Sequence, residues 1–249
     1  AGESPASGTS IHGFTFEGRG VSNENLQPIA FGIFGRFVNG ARVSGNRFRG
    51  TVQAITNTAG DGWVITHNQI EGLTLFDCTR LCTGGDGIVL QPARGSLAVP
   101  GGPAEPANRA ENNWIGFNRI SGAVPDGFDV FAMAGVLVFA SDRTTITNNW
   151  IALPDNPLAP ALGQGVVVTN VCCGEAPLEP GSRRTFIGFN FLAYSERGIV
   201  VEGERGANTL GLTLRRNRGS VHVEEPAIAA LALRVAEPSA APPAKELFY

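Results

Sequence analysis

One arrangement of apolar and polar positions recurs six times: an aliphatic residue, two spacers, an asparagine, then usually an apolar residue two places on. It reads Val43-Ser-Gly-Asn46-Arg-Phe48, Ile65-Thr-His-Asn68-Gln-Ile70, Ile115-Gly-Phe-Asn118-Arg-Ile120, Ile146-Thr-Asn-Asn149-Trp-Ile151, Ile187-Gly-Phe-Asn190-Phe-Leu192 and Leu214-Arg-Arg-Asn217-Arg-Gly219. An earlier copy, Ile11-His-Gly-Phe14-Thr-Phe16, has phenylalanine in the asparagine position. Short β-branched runs opened by glycine precede most copies: Gly32-Ile-Phe, Gly87-Ile-Val-Leu, Gly135-Val-Leu-Val, Gly165-Val-Val-Val and Gly198-Ile-Val-Val. Such runs predict brief strands, each entered through a tight glycine bend.

Repetition implies stacking, because one unit cannot bury its own apolar face. Successive asparagines lie 22, 50, 31, 41 and 27 residues apart, so the shortest interval is one bare coil and the longer ones carry loops. Asparagine is expected at the bend itself, since it tolerates left-handed backbone. Its amide is expected to donate to the coil on one side and accept from the other, about 4.8 Å away.

On these motifs, roughly residues 8 to 223 resemble the right-handed parallel β-helix repeat family, which includes pectate-lyase-like enzymes and tailspike-like proteins. The resemblance implies an all-β, right-handed parallel β-helix solenoid of about seven coils with an internal asparagine ladder. It implies residues 1–225 as the β-helix and 226–249 as a capping segment and flexible tail, where Ala227 to Val235 is apolar and Pro238 to Ala244 is Pro- and Ala-rich. Residues 1–10 offer no helix-forming cap, so a missing N-terminal capping segment or a partner is expected to cover the first coil.

Composition narrows the function classes. With 43% hydrophobic and 16% charged residues the chain reads as ordered, and a net charge of −3 gives no support for nucleic-acid binding. No apolar run is long enough for a membrane span. Cys78/Cys82 and Cys172/Cys173 form neither a disulfide framework nor a zinc spacing, and free thiols and a local bridge both fit. The expected location is secreted or cell envelope.

Alternation along the glycine-headed strands places Phe34, Thr56, Val89, Leu137, Val167 and Val200 on one outward face, which is mostly apolar. Polysaccharide lyases of the resembled fold hold carboxylates and basic groups there, and this chain does not. Loops beside that face can wall a groove for an extended polysaccharide. Their candidate catalytic groups are Asp86, Asp126, Asp129 and Arg80; Arg94, Arg183, Arg184 and Arg197 are candidates for substrate binding. Asp77, Asp86, Asp126 and Asp129 are candidate metal ligands, with calcium the fitting cation and no other cofactor evident. Asp-Gly turns account for several of these aspartates equally well. His67 reads as a packed core histidine. A competing reading is a non-catalytic assembly module, a homo-oligomer packed through the apolar outer face.

Overall fold

The computed structural model describes residues 8–18, 29–74, 85–93, 108–121, 134–153, 163–170, 181–193, 197–202 and 211–223. Asp77, Arg80, Arg94, Asp126, Asp129, the four cysteines and the expected segment 226–249 lie outside these residues. In chain order the strands are β1 (Ser10–His12), β2 (Thr15–Glu17), β3 (Ile29–Arg36), β4 (Arg42–Ser44), β5 (Arg47–Arg49), β6 (Thr51–Thr58), β7 (Val64–Thr66), β8 (Gln69–Glu71), β9 (Asp86–Gln91) and β10 (Trp114–Gly116). They continue as β11 (Arg119–Ser121), β12 (Ala134–Phe139), β13 (Thr145–Thr147), β14 (Trp150–Ala152), β15 (Gln164–Thr169), β16 (Phe186–Gly188), β17 (Phe191–Ala193), β18 (Ile199–Glu202), β19 (Thr213–Arg215) and β20 (Val221–Val223).

Three sheets take these strands in turn. The first runs β1-β4-β7-β10-β13-β16-β19, the second β2-β5-β8-β11-β14-β17, and the third β3-β6-β9-β12-β15-β18-β20. Every strand pairing is parallel and in register; Val64 meets Trp114 although 50 residues separate Asn68 from Asn118. The molecule is an all-β parallel solenoid, and its long insertions leave the stack unbroken.

Aliphatic side chains fill the tube. Ile65, Ile115, Ile146 and Ile187 come from the first sheet, Ile70, Ile120 and Ile151 from the second, and Ile55, Ile88 and Val136 from the third, all buried in one core. Each contributes about 1.5–3 kcal/mol by leaving water. β-Branched residues suit these positions, because the same side chain sits directly above and below in neighbouring coils.

The asparagines form a single file between the first and second sheets. Nδ2 of Asn46, Asn68, Asn118, Asn149 and Asn190 donates to Oδ1 of the next asparagine at 3.1, 3.0, 3.0, 3.0 and 3.0 Å. Each Oδ1 also accepts the backbone N–H of the preceding ladder residue, as Asn149 does from Asn118 at 2.9 Å. Each Nδ2 further reaches the aliphatic carbonyl one coil back, as Asn149 does to Ile115 at 3.1 Å. Asn46 Oδ1 accepts from the Phe14 N–H at 3.0 Å, so the degenerate copy docks without an amide of its own.

Two local expectations are corrected. The left-handed residue at this corner is the one before the asparagine: Gly45, His67, Phe117, Asn148, Phe189 and Arg216 have φ of 63°, 56°, 57°, 55°, 60° and 48°. Turning the chain one residue early leaves the asparagine pointing inward, where its amide meets the stack. The glycines that head the third-sheet strands serve close approach. A Cβ on Gly135 would lie 2.6 Å from Ile151 Cγ2 and 2.7 Å from the Gly165 carbonyl oxygen. One on Gly87 would lie 2.5 Å from the Gly135 carbonyl oxygen. The third sheet can therefore abut the second-sheet isoleucines only where a side chain is missing. A second polar column, which the sequence repeat does not mark, runs along another corner: Asn57 Nδ2 donates to Asn113 Oδ1 at 3.1 Å, and the Ser141 N–H to Ser182 Oγ at 3.1 Å.

Candidate functional site

The outward face of the third sheet carries the residues expected there, in register: Phe34 beside Thr56, then Val89, Leu137, Val167 and Val200. Phe34 is exposed, but Val89, Val167 and Val200 are buried within the single chain at 1%, 4% and 0% exposure. Val89, Val167 and Val200 are thus withdrawn from any surface a second copy could meet, while Phe34 is exposed and Leu137 half-buried.

Asp86 opens β9 on that sheet, beside Gln53 and Ala134 in the register. It is 5% exposed. Burial pushes its carboxyl up from 3.8 to about 7, against opposing hydrogen bonds from the Gln53 side chain and the Ala134 backbone. Gln53 in turn accepts the Thr56 hydroxyl at 2.8 Å. A carboxyl that holds its proton to neutrality has the acidity of a general acid. The same burial keeps it from substrate and makes it a poor ligand for calcium. Among the described residues no three or more His, Cys, Asp or Glu side chains gather into a metal-binding group.

The candidate arginines are placed differently from one another. Arg183 is committed to Asp142: its Nε donates to both carboxylate oxygens at 3.3 and 3.1 Å, and its Nη2 closes the bidentate pair. Arg109 approaches the same carboxylate at 3.6 Å and donates to the Gly181 carbonyl at 2.9 Å. Burial draws the Arg109 guanidinium below its ordinary value, with Asp142 opposing. Asp142 is 2% exposed and paired, so this corner is a scaffold of charge, which Arg183 serves with a side chain that is 39% exposed. Arg184 is exposed in left-handed backbone, and the Arg197 carbonyl accepts the Gly165 N–H at 3.2 Å. Nothing described brings either of them to Asp86.

A constellation that the repeat does not reveal lies on the first sheet and the ladder corner. Trp114 lies against Gly116, where a Cβ would meet the indole at 3.1 Å. Phe186 covers Gly188 in the same way, where a Cβ would meet the ring at 2.6 Å. The rings thus lie flat on the sheet because the residue two places on is glycine; the coil between them carries Thr145 and Thr147. Each ring has a corner companion. Phe117 is edge-on to Trp114 at 6.2 Å and stacks on His67 at 5.2 Å. Phe189 carries the Arg215 and Arg216 guanidinium groups at 5.6 and 6.0 Å. His67 is exposed, which corrects its reading as a core residue.

These aromatics occupy a costly conformation without burial to offset it. Phe117 and Phe189 are 47% and 41% exposed at left-handed positions that Gly45 and Asn148 fill more cheaply. On the second sheet Trp150 and Phe191 stack at 6.5 Å, flanked by Arg119 at 4.6 Å and Arg218 at 5.8 Å from the nearer ring. Beyond them, Glu71 accepts from Arg47 and Arg49 at 3.2 Å each. Burial raises the Glu71 carboxyl, but hydrogen bonds from Arg49, Arg47 and Gln69 outweigh it and hold the group below its usual range. Its stabilising effect is therefore present above the unfolded carboxylate value and lost as pH falls through the lower folded value. Glu71→Gln should cost under about 1 kcal/mol at pH 7 and less at pH 3, read by urea unfolding at both. An equal loss at both would show that the charge is irrelevant.

No protein-family model matches the chain, and no curated protein matches it in sequence. Among solved structures it is similar to the alginate lyase from Paenibacillus sp. str. FPU-7, at 12% identity and a TM-score of 0.39, over 86% of this chain and 67% of that one. A likeness at that level adds no argument to the parallel topology already described.

Proposed function

We propose that this solenoid binds an extended polysaccharide laid along its axis, over the first sheet and the ladder corner. The observation that carries the reading is the paired aromatic spacing. Trp114 with Phe117, and Phe186 with Phe189, are two coils apart, or about 9.6 Å at the usual strand spacing. That is close to the length of two sugar residues in an extended 1,4-linked chain. Flat rings on the sheet offer apolar faces to the C–H faces of pyranose rings. Between the couples, Thr145, Thr147 and Asn148 bring hydroxyl and amide groups to the alternate sugar.

The reading concerns binding and assigns no bond-breaking step. The third sheet is the weaker place for such a groove, since Val89, Val167 and Val200 of its outward column are buried and its exposed rings, Phe31 and Phe34, stand together on its end strand. A secreted or cell-envelope location, where such polymers are met, remains part of the proposal.

Isothermal titration with soluble 1,4-linked oligosaccharides tests it. Trp114→Ala and Phe186→Ala should each weaken binding about tenfold. Both rings are partly exposed, so the variants should keep the wild-type melting temperature to within a few degrees. Absence of binding to every glycan tried, or unchanged affinity in both variants, would refute it.

A further inference from the structure

We infer that the polymer taken by this face is acidic, a glycan bearing carboxylate or sulfate groups, held at the C-terminal end of the aromatic run by Arg215, Arg216 and Arg218. The inference rests on the polysaccharide reading above and deepens it. The chain as a whole is acidic, with 22 Asp and Glu against 19 Lys and Arg. Yet the outward positions from the first sheet, across the ladder corner, to the leading column of the second sheet hold no aspartate or glutamate among the described residues. Of the acidic groups at the margins, Glu71 is paired with Arg47 and Arg49 and Glu111 with Arg143, while Glu17 and Asp61 are exposed at the N-terminal end, away from Arg215, Arg216 and Arg218.

Of the six arginines inside this boundary, Arg47 pairs with Glu71, Arg42 is exposed at the N-terminal end, and the other four rest on rings. Arg119 lies on Trp150, Arg215 and Arg216 on Phe189, and Arg218 on Phe191. A guanidinium held over a ring keeps N–H groups available for bidentate contact with a carboxylate or sulfate. Arg215, Arg216 and Arg218 place three exposed cations in one coil, which gives this end of the face a positive potential for an anionic ligand. Arg216 also occupies the left-handed corner position at φ 48°, where glycine costs less, and it is exposed.

An acidic polysaccharide fits better than single-stranded nucleic acid. Nucleic-acid grooves stack successive bases on successive aromatics. On the first sheet the couples are separated by the polar coil of Thr145, Thr147 and Asn148, and rings on successive coils occur only at the flank, where Trp150 meets Phe191 and His67 meets Phe117.

The test compares four ligands on the full chain: a neutral 1,4-linked glucan oligosaccharide, the same backbone oxidised to carboxylate at C6, the same backbone sulfated, and oligothymidylate. One acidic form should bind about tenfold or more tightly than the neutral form. The stronger of the two identifies the anionic group. Raising ionic strength from about 0.05 M to about 0.5 M should abolish most of that preference. The triple variant Arg215→Gln, Arg216→Gln, Arg218→Gln should bind acidic and neutral forms alike, while Arg→Lys at all three retains part of the preference. Neutral and acidic forms binding the wild type equally would overturn the inference and leave the aromatic reading standing. Absence of binding to any glycan removes both. Oligothymidylate binding more tightly than every glycan would overturn the choice of polymer.

Discussion

Asn149→Ala should lower the stability of the chain by about 3–5 kcal/mol, equivalent to about 10 °C in melting temperature for a protein of this size. Asn149 is 2% exposed in the middle of the ladder. Its Oδ1 is the acceptor for both the Asn118 N–H and Asn118 Nδ2, at 2.9 and 3.0 Å. Its Nδ2 serves Ile115 O, Thr147 O and Asn190 Oδ1. Truncation strands the Asn118 N–H in a dry corner that water cannot enter without opening the stack, and each such orphan costs about 1–3 kcal/mol. Asn217→Ala is the matched control. Asn217 stands at the end of the file and is only half-buried, so water can replace its amide and the loss should be less than half as large. Denaturant unfolding of both variants measures the difference. Equal losses, or an Asn149→Ala variant within about 0.5 kcal/mol of wild type, would mean that the ladder is decoration on an apolar core.

Asp86→Asn should stabilise the protein at alkaline pH and leave it unchanged in acid. The folded carboxyl is raised to about 7 from 3.8, so the folded state holds its proton more tightly than the unfolded chain. The contribution from protonated Asp86 is fully present below about pH 4 and is lost as pH rises toward and through 7. Three units correspond to about 4 kcal/mol at most between those limits. The amide of asparagine is neutral at every pH and similar in shape, so it removes this loss while keeping contact with Gln53 and the Ala134 N–H. Melting curves from pH 4 to pH 9 should converge at the acid end and separate by up to about 4 kcal/mol at the alkaline end. Parallel curves across the range would show that burial of Asp86 is not what governs its proton.

Legibility varied with how local the cause was. The ladder could be read because the same frame of aliphatic residue and asparagine returns with every coil, and an inward amide has a partner only in another copy of itself. The left-handed corner residue escaped notice, because Gly45, His67, Phe117, Asn148, Phe189 and Arg216 share no side-chain chemistry. Their common feature is a backbone angle. Asp86 was visible as a candidate acid, but its burial depends on what packs around β9, which no local pattern announces. Arg183 looked available until the fold placed it on Asp142, 41 residues away. The aromatic couples did leave a trace: Trp114-Ile-Gly116 and Phe186-Ile-Gly188 each put glycine two places after a large ring. Reading that trace requires knowing that strands with two-residue periodicity place both on one face, with the ring folded over the glycine.

The amino-acid sequence alone determined that the chain winds into stacked coils with an aliphatic interior and a file of amides, since periodic burial and amide pairing are properties of the repeat. Only the tertiary structure decided which exposed residues stand side by side. Inserts of unequal length separate equivalent positions by different numbers of residues, and the hydrogen-bonded register of the sheets restores them to one spacing. That register brings Trp114, Thr145 and Phe186 into one row and lets an aromatic period of two coils emerge from positions scattered along the chain.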